Sequence, residues 1–261
     1  MVCRKDPRFR KNKLPLKAFL QISGRTALLI VALAVAGSSI MSQTKVVLIP
    51  TIHGLHRINH QYSYNSLKHI VSAIQPSVIA VEIRDEDVNA DTGYLKINYP
   101  YEMWMMRYWF PNTAIEGFDW LGADIEKKTI PGNYWKEISA VKQMEKQLAA
   151  DSLNNAAAGL CNEYNDQRLS ILKASSLSSI LQSKDTLLIK AYYNCLQTRL
   201  GDTRYAAMLE FYRERNQKMM ERIKAVVDKH QGKTIAILTG DDHYPFLLNY
   251  LRTLNIVLLH P

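Results

Sequence analysis

Three histidines, His53, His56 and His60, fall within eight residues just after an apolar run, Val46–Ile49. A fourth, His243, follows another apolar run, Ile235–Leu238, in the turn Gly240-Asp241-Asp242-His243. Imidazole is the commonest metal ligand and the side chain best placed for proton transfer near neutral pH. Glu82 closes a third apolar run, Val78–Val81. A carboxylate is expensive to bury alone, so a glutamate on such a run needs a partner. Tyr205, Met208, Tyr212, Met219, Ile223 and Val226 recur at helical spacing, and Arg215 continues the same face with Asn216 beside it. An arginine inside an apolar stripe either snorkels to the edge of a core or delivers its planar fork into a pocket, where it can hold an oxyanion. His53, Glu82, Arg215 and His243 are the leading candidates, with His56, Glu116, Asp119, Asn216 and Asp242 behind them. His60 is the weakest of the histidines.

These side chains need elements to bring them together. Runs of four to eight apolar, largely β-branched residues bounded by turn signals are what buried strands look like. Lys45 to Glu82 reads as strand, loop, helix (about Ser63–Ile74) and strand, which is the unit of an α/β fold with a largely parallel sheet. Its candidates all follow strand ends, the edge at which open α/β sheets bind ligands. Thr113–Asp119 reads as a third strand, Thr234–Thr239 as a fourth and Ile256–Leu259 as the last. Tyr101–Phe110 is rich in aromatics and methionine and reads as a helix of the core or of a pocket wall. Residues 132–231 turn helical and polar and read as a helical insertion in the middle of the sheet. Proline at the first position of a helix places His243 at the start of one, with Asp242 as its cap or its partner.

Taken together, Pro50-Thr51-Ile52-His53, Val81-Glu82, Arg215-Asn216 with Met219, and Gly240-Asp241-Asp242-His243 resemble the motifs of the TraB/GumN/Tiki superfamily, which is related in fold to the ChaN and erythromycin-esterase-like proteins. The resemblance covers about Lys45 to Pro261, although the helical middle matches only in character. It implies a mixed sheet built of two related halves with the site between them. It also implies the metal-dependent peptidase activity proposed for Tiki members, carried here by His53, Glu82, Arg215 and His243. The family pattern has glycine where Pro50 stands, and proline removes an N–H and fixes φ.

The residue chemistry points the same way. Two imidazoles and a carboxylate suit a borderline divalent ion such as Mn, Co or Zn, and an open position would carry a water of lowered pKa. The expected protein is a metal-dependent hydrolase in which His53 and His243 hold the metal, Glu82 is ligand or general base, and Arg215 steadies the oxyanion on a peptide or small-molecule substrate. One alternative is a metal-free esterase using His53 and Glu82 as acid and base. Others are a ligand-binding protein that holds haem against Tyr101–Phe110, and a non-catalytic relative. There is no Gly-x-Ser-x-Gly elbow, P-loop, His-Glu-x-x-His or dinucleotide fingerprint.

The chain has 261 residues, 47% of them hydrophobic, enough for a sizeable core. Its net charge of +9 is local. Residues 1–42 hold eight Lys/Arg and one acid, leaving 25 bases against 23 acids, so a nucleic-acid partner loses its electrostatic support. The same segment runs basic, then apolar (Ala27–Ala36), then small (Gly37-Ser38-Ser39), the order of a secretory signal. Export to a periplasmic or secreted location is expected, with a membrane anchor as the outcome if the segment is kept. Cys161 and Cys195 lie beyond it and form either a disulfide or two buried thiols.

Overall fold

The computed structural model describes residues 42–261. The export segment expected over residues 1–42 lies, Ser42 apart, outside them. Among the described residues, no helix is long and apolar enough to cross a membrane.

Strands β1 (Lys45–Thr51), β2 (Val78–Val81), β3 (Ala114–Gly117), β4 (Thr234–Gly240) and β5 (Val257–Leu259) form one sheet in the order β3-β2-β4-β1-β5. Every pairing is parallel. The α/β class and the parallel arrangement read from the apolar runs hold, but the sheet is parallel throughout, not the mixed sheet that the family resemblance implied. Successive strand residues point to opposite faces. Val47, Ile49, Ile79, Val81, Ala236 and Leu238 enter one core, while Val46, Leu48, Val78, Ala80, Ile235 and Ile237 enter another. Both faces are covered, which is why the strands read as unbroken apolar runs.

Helix α1 (Tyr64–Ile74), capped by the Ser63 side chain, covers the first face through Leu67 and Val71. Helices α2 (Thr92–Asn98) and α3 (Tyr101–Trp109) add Leu95, Met103 and Met106 to that core. The helical insertion follows β3 as α4 (Ala140–Ala150), α5 (Ser152–Gly159), α6 (Asn162–Ala174), α7 (Leu177–Gln182), α8 (Asp185–Leu200) and α9 (Ala206–Lys229). Much of it has a core of its own, in which Val141, Leu196, Leu200, Tyr205 and Met208 surround Cys161, and Cys161 is disulfide-bonded to Cys195. The last part of α9 returns to the second face of the sheet with Met219, Ile223 and Val226. Helix α10 (Tyr244–Leu251) covers the same face through Leu247 and Leu251 and leads to β5.

Strands β1 and β4 are neighbours, yet the helices that follow them, α1 and α10, lie on opposite faces. The two loops therefore diverge and leave a crevice at the strand ends, the topological switch point of an open α/β sheet. Pro50 sits in this part of β1 without loss. β5 pairs with β1 only as far as Val47, and the Pro50 carbonyl accepts the Tyr62 hydroxyl at 2.7 Å instead of a ladder bond. A proline is tolerated where no neighbouring strand needs its N–H.

Candidate functional site

Each leading candidate lies just past a strand end or on α9, and the crevice brings them together. His53 begins a single 3-10 turn (His53–Arg57) two residues after β1 and has a φ of 47°, the left-handed region. Such a backbone costs a non-glycine residue roughly 1–2 kcal/mol, and it turns the ring across Gly240. A Cβ on Gly240 would lie 2.6 Å from His53 Nε2 and 3.5 Å from Glu82 Oε2. Glycine at 240 is what lets the imidazole and the carboxylate face the same point.

Glu82, the residue after β2, is bound at both oxygens. Oε2 accepts the Gly240 N–H at 2.7 Å and the Thr239 hydroxyl at 3.0 Å. Oε1 accepts Arg215 Nη2 at 2.8 Å and lies 3.5 Å from His243 Nε2. Arg215 reaches in from α9, and its Nε donates to Asp119 Oδ1 at 2.9 Å. Asp119, just beyond β3, also accepts the Trp120 N–H at 2.7 Å. The guanidinium thus spans two buried carboxylates, while Nη1 donates to no group among the described residues. His243 stands at the start of α10, and its Nδ1 donates to Asn216 Oδ1 at 2.7 Å. His53, Glu82, Asp119, Arg215, Asp242 and His243 all line one cavity of about 250 Å³, with Tyr193, Tyr212 and Trp135 among its walls.

The two imidazoles are held in opposite states. Burial works against a charge on His53, but the hydrogen bond and negative charge of Glu102 outweigh it and raise the pKa to about 9. The ring keeps 39% of its side-chain surface open, so water tempers the burial effect. Burial lowers His243 to about 4; Glu82 pulls the other way and Arg215 pushes it down further. Burial would raise Glu82, yet His243, Arg215, His53 and the Gly240 N–H together bring it to about 2. Asp119 goes the other way, up to about 6, because burial and the nearby Glu82 charge offset the pull of Arg215.

Two secondary candidates lie elsewhere. His56 is 1% exposed and serves the turn itself: Nδ1 donates to the Tyr62 carbonyl at 2.6 Å and Nε2 accepts the Ile52 N–H at 3.1 Å. Glu116 is on the outer strand β3, paired with Lys229 at 2.8 Å and His230 at 2.7 Å. Asn216 holds His243, and the half-exposed Asp242 edges the cavity. His60 is exposed on the loop.

Three residues join the site that the motifs did not single out. Glu102 on α3 is fully buried, and its Oε1 accepts from His53 Nδ1 at 2.8 Å while Oε2 has no partner among the described residues. An isolated acid among Met103, Trp104 and Met106 was the available signal. Arg168 on α6, 4% exposed, ties the insertion to the Gly240–His243 turn. It bonds Asp185 Oδ1 at 3.1 Å, Asp242 Oδ1 at 2.7 Å and, more closely, Asp241. Asp241 is raised to about 7 by burial and by Asp242, against the pull of Arg168.

The donor chemistry of His53, Glu82 and His243 is that of a divalent-ion site, and each ring has its Nδ1 tied back, as metal-bound histidines do. The arrangement is closed in another way. Glu82 already carries three donors, one of them a guanidinium, and among the described residues no group of three His, Cys, Asp or Glu side chains is placed to hold an ion. An ion bound there would have to displace Arg215 from Glu82. No protein-family model, curated protein or solved structure matches this chain.

Proposed function

We propose that the cavity is the centre of a hydrolase that cleaves an ester or amide bond by acid–base chemistry. The observation that carries this reading is the pair of histidines held in opposite protonation states around one carboxylate. Titratable groups whose environments push their pKa values apart are the pattern of an acid and a base sharing one site. His243 commits its Nδ1 proton to Asn216, so its Nε2 lone pair faces the cavity as the base. It takes a proton from water as the water oxygen attacks the carbonyl carbon. Glu82, 3.5 Å away, stabilises the imidazolium that forms. Arg215 Nη1 supplies hydrogen bonds to the developing oxyanion. His53, charged through Glu102, gives its Nε2 proton to the leaving group as the C–O or C–N bond breaks. The resemblance of the motifs to those of the TraB/GumN/Tiki superfamily supports the same four residues.

A second reading, implied by that resemblance, is that His53, His243 and Glu82 hold a Mn, Co or Zn ion. The tied-back Nδ1 atoms of both rings favour it. The ion would supply a bound water of lowered pKa, and Arg215 would serve the oxyanion alone.

One set of measurements tests both. Protein purified without an affinity metal is assayed on 4-nitrophenyl acetate and on a fluorogenic peptide mixture, before and after chelation, with elemental analysis alongside. Acid–base hydrolysis survives chelation and falls at least ~100-fold in His243→Gln. Stoichiometric metal that is lost in His53→Ala, with activity that chelation removes, selects the second reading. Activity unchanged in both His53→Ala and His243→Gln overturns the assignment.

A further inference from the structure

Beside the cavity lies a wider open groove of about 910 Å³, and the two spaces share His53, Tyr99 and Pro100 as walls. On the proposed mechanism, a substrate with its scissile bond at His243 and its leaving group at His53 would extend toward this groove. The groove wall is aromatic. Tyr64 and Tyr101 meet edge to face with centroids 4.7 Å apart, and Tyr101 meets Trp104 at 5.1 Å. Aromatic walls hold an apolar body in a fixed orientation.

Its charge is one-sided. Arg57 and Lys96 line the groove and no acidic residue does. Lys96 Nζ lies 5.5 Å from the Trp104 ring centroid, and Arg57 is near enough to act on the Tyr64 phenol, so both cations lie against the aromatic wall. Neither pairs with a carboxylate among the described residues. This contrasts with Arg84, Arg168, Arg215 and Arg222, each of which holds at least one acid. The cavity beside the groove is lined by charges of both signs, Glu82, Asp119 and Asp242 against His53, Lys142 and Arg215, whereas the charged side chains of the groove are all cationic. The groove therefore draws the anionic end of a bound molecule, which sets its direction.

We propose that this groove is the leaving-group subsite and takes an aromatic or apolar group bearing a carboxylate or similar oxyanion. The inference rests on the hydrolase reading for the word "substrate", but the binding it requires can be measured without turnover. The probe is 8-anilinonaphthalene-1-sulfonate, an aromatic anion, with N-phenyl-1-naphthylamine as its uncharged counterpart. Fluorescence titration of the full-length protein is compared with Arg57→Gln/Lys96→Gln, two exposed positions whose change leaves the cores untouched.

The expected result is that the double variant binds the sulfonate at least tenfold more weakly and the uncharged amine as before. Equal sulfonate affinity in both proteins, absence of binding to the wild type, or parallel loss of both probes overturns the subsite. Hydrolysis is assayed on the same preparations with uncharged 4-nitrophenyl acetate. If charge discrimination is present but no hydrolysis of any ester or peptide is found, the subsite stands and the hydrolase reading falls. If hydrolysis is present without discrimination, the reverse holds.

Discussion

His53 Nδ1 lies 2.8 Å from Oε1 of Glu102, a carboxylate with no solvent exposure. The hydrogen bond and the charge of Glu102 are the strongest influences that raise the pKa of the ring facing the cavity. Glu102→Gln keeps the side-chain shape and removes the charge. The His53 titration, followed by NMR, is then expected to fall from about 9 to the ordinary histidine range near ~6.5 or below. A titration still near its wild-type value would show that Glu102 is not the cause. The folded-state pKa is raised, so the stability from this pair is fully present below ~6.5 and is lost as pH climbs through the folded value. Thermal unfolding of the wild type should decline over that window, and the decline should be absent in Glu102→Gln.

The proposed mechanism ties the pH dependence of hydrolysis to the two rings. It needs His243 neutral and His53 charged, and their pKa values are about 4 and about 9. The kcat/KM profile is expected to be a broad bell with limbs in those regions, as apparent values of a coupled set. Asn216→Asp places a charge behind His243 Nδ1 and should move the acid limb upward by about a unit or more, while the alkaline limb stays in place. Movement of both limbs together would mean that Asn216 acts on the whole cavity and not on His243.

Arg168 holds three carboxylates, the buried Asp185 and Asp241 and the half-exposed Asp242. Removing the cation from a buried cluster leaves uncompensated charge and typically costs about 3–5 kcal/mol. Arg168→Met should therefore lower the urea midpoint strongly at pH 8. The loss should shrink near pH 5, because Asp241 is already held at about 7 and takes up a proton. A loss equal at both pH values would point to packing alone.

The disulfide closes a loop of 34 residues inside the helical insertion. Loop-closure entropy puts the stabilisation of such a link at about 3–4 kcal/mol. Cys161→Ser/Cys195→Ser should unfold at correspondingly lower urea, and dithiothreitol should destabilise the wild type but not the double variant. Equal sensitivity of the two proteins to reductant would count against the link.

The strands and the residues at their ends were legible because the sheet is buried on both faces, which leaves unbroken apolar runs with turn residues after them. Arg215 was legible because it interrupts a helical stripe that does pack on the sheet, through Met219 and Ile223. The same logic applied to α3 would have found Glu102, but an aromatic and methionine-rich helix reads first as core, and most of it is. Arg168 left no such trace. It sits in a polar helix, and its partner Asp241 is 73 residues away. Its role depends on where the insertion docks, which no local pattern records. His56 misled for the opposite reason: its ring looks reactive beside His53, and backbone groups occupy both nitrogens.

β4 lies at the centre of the sheet and joins β1 to β2, which do not touch one another, yet it comes from residues 234–240. A nascent chain therefore cannot bring His53 to Glu82 through this sheet until residues 234–240 have left the ribosome. Every shorter translation product is expected to be chemically inert, and a protease that nicks the polypeptide ahead of Thr234 and frees the remainder would silence the protein in a single cut.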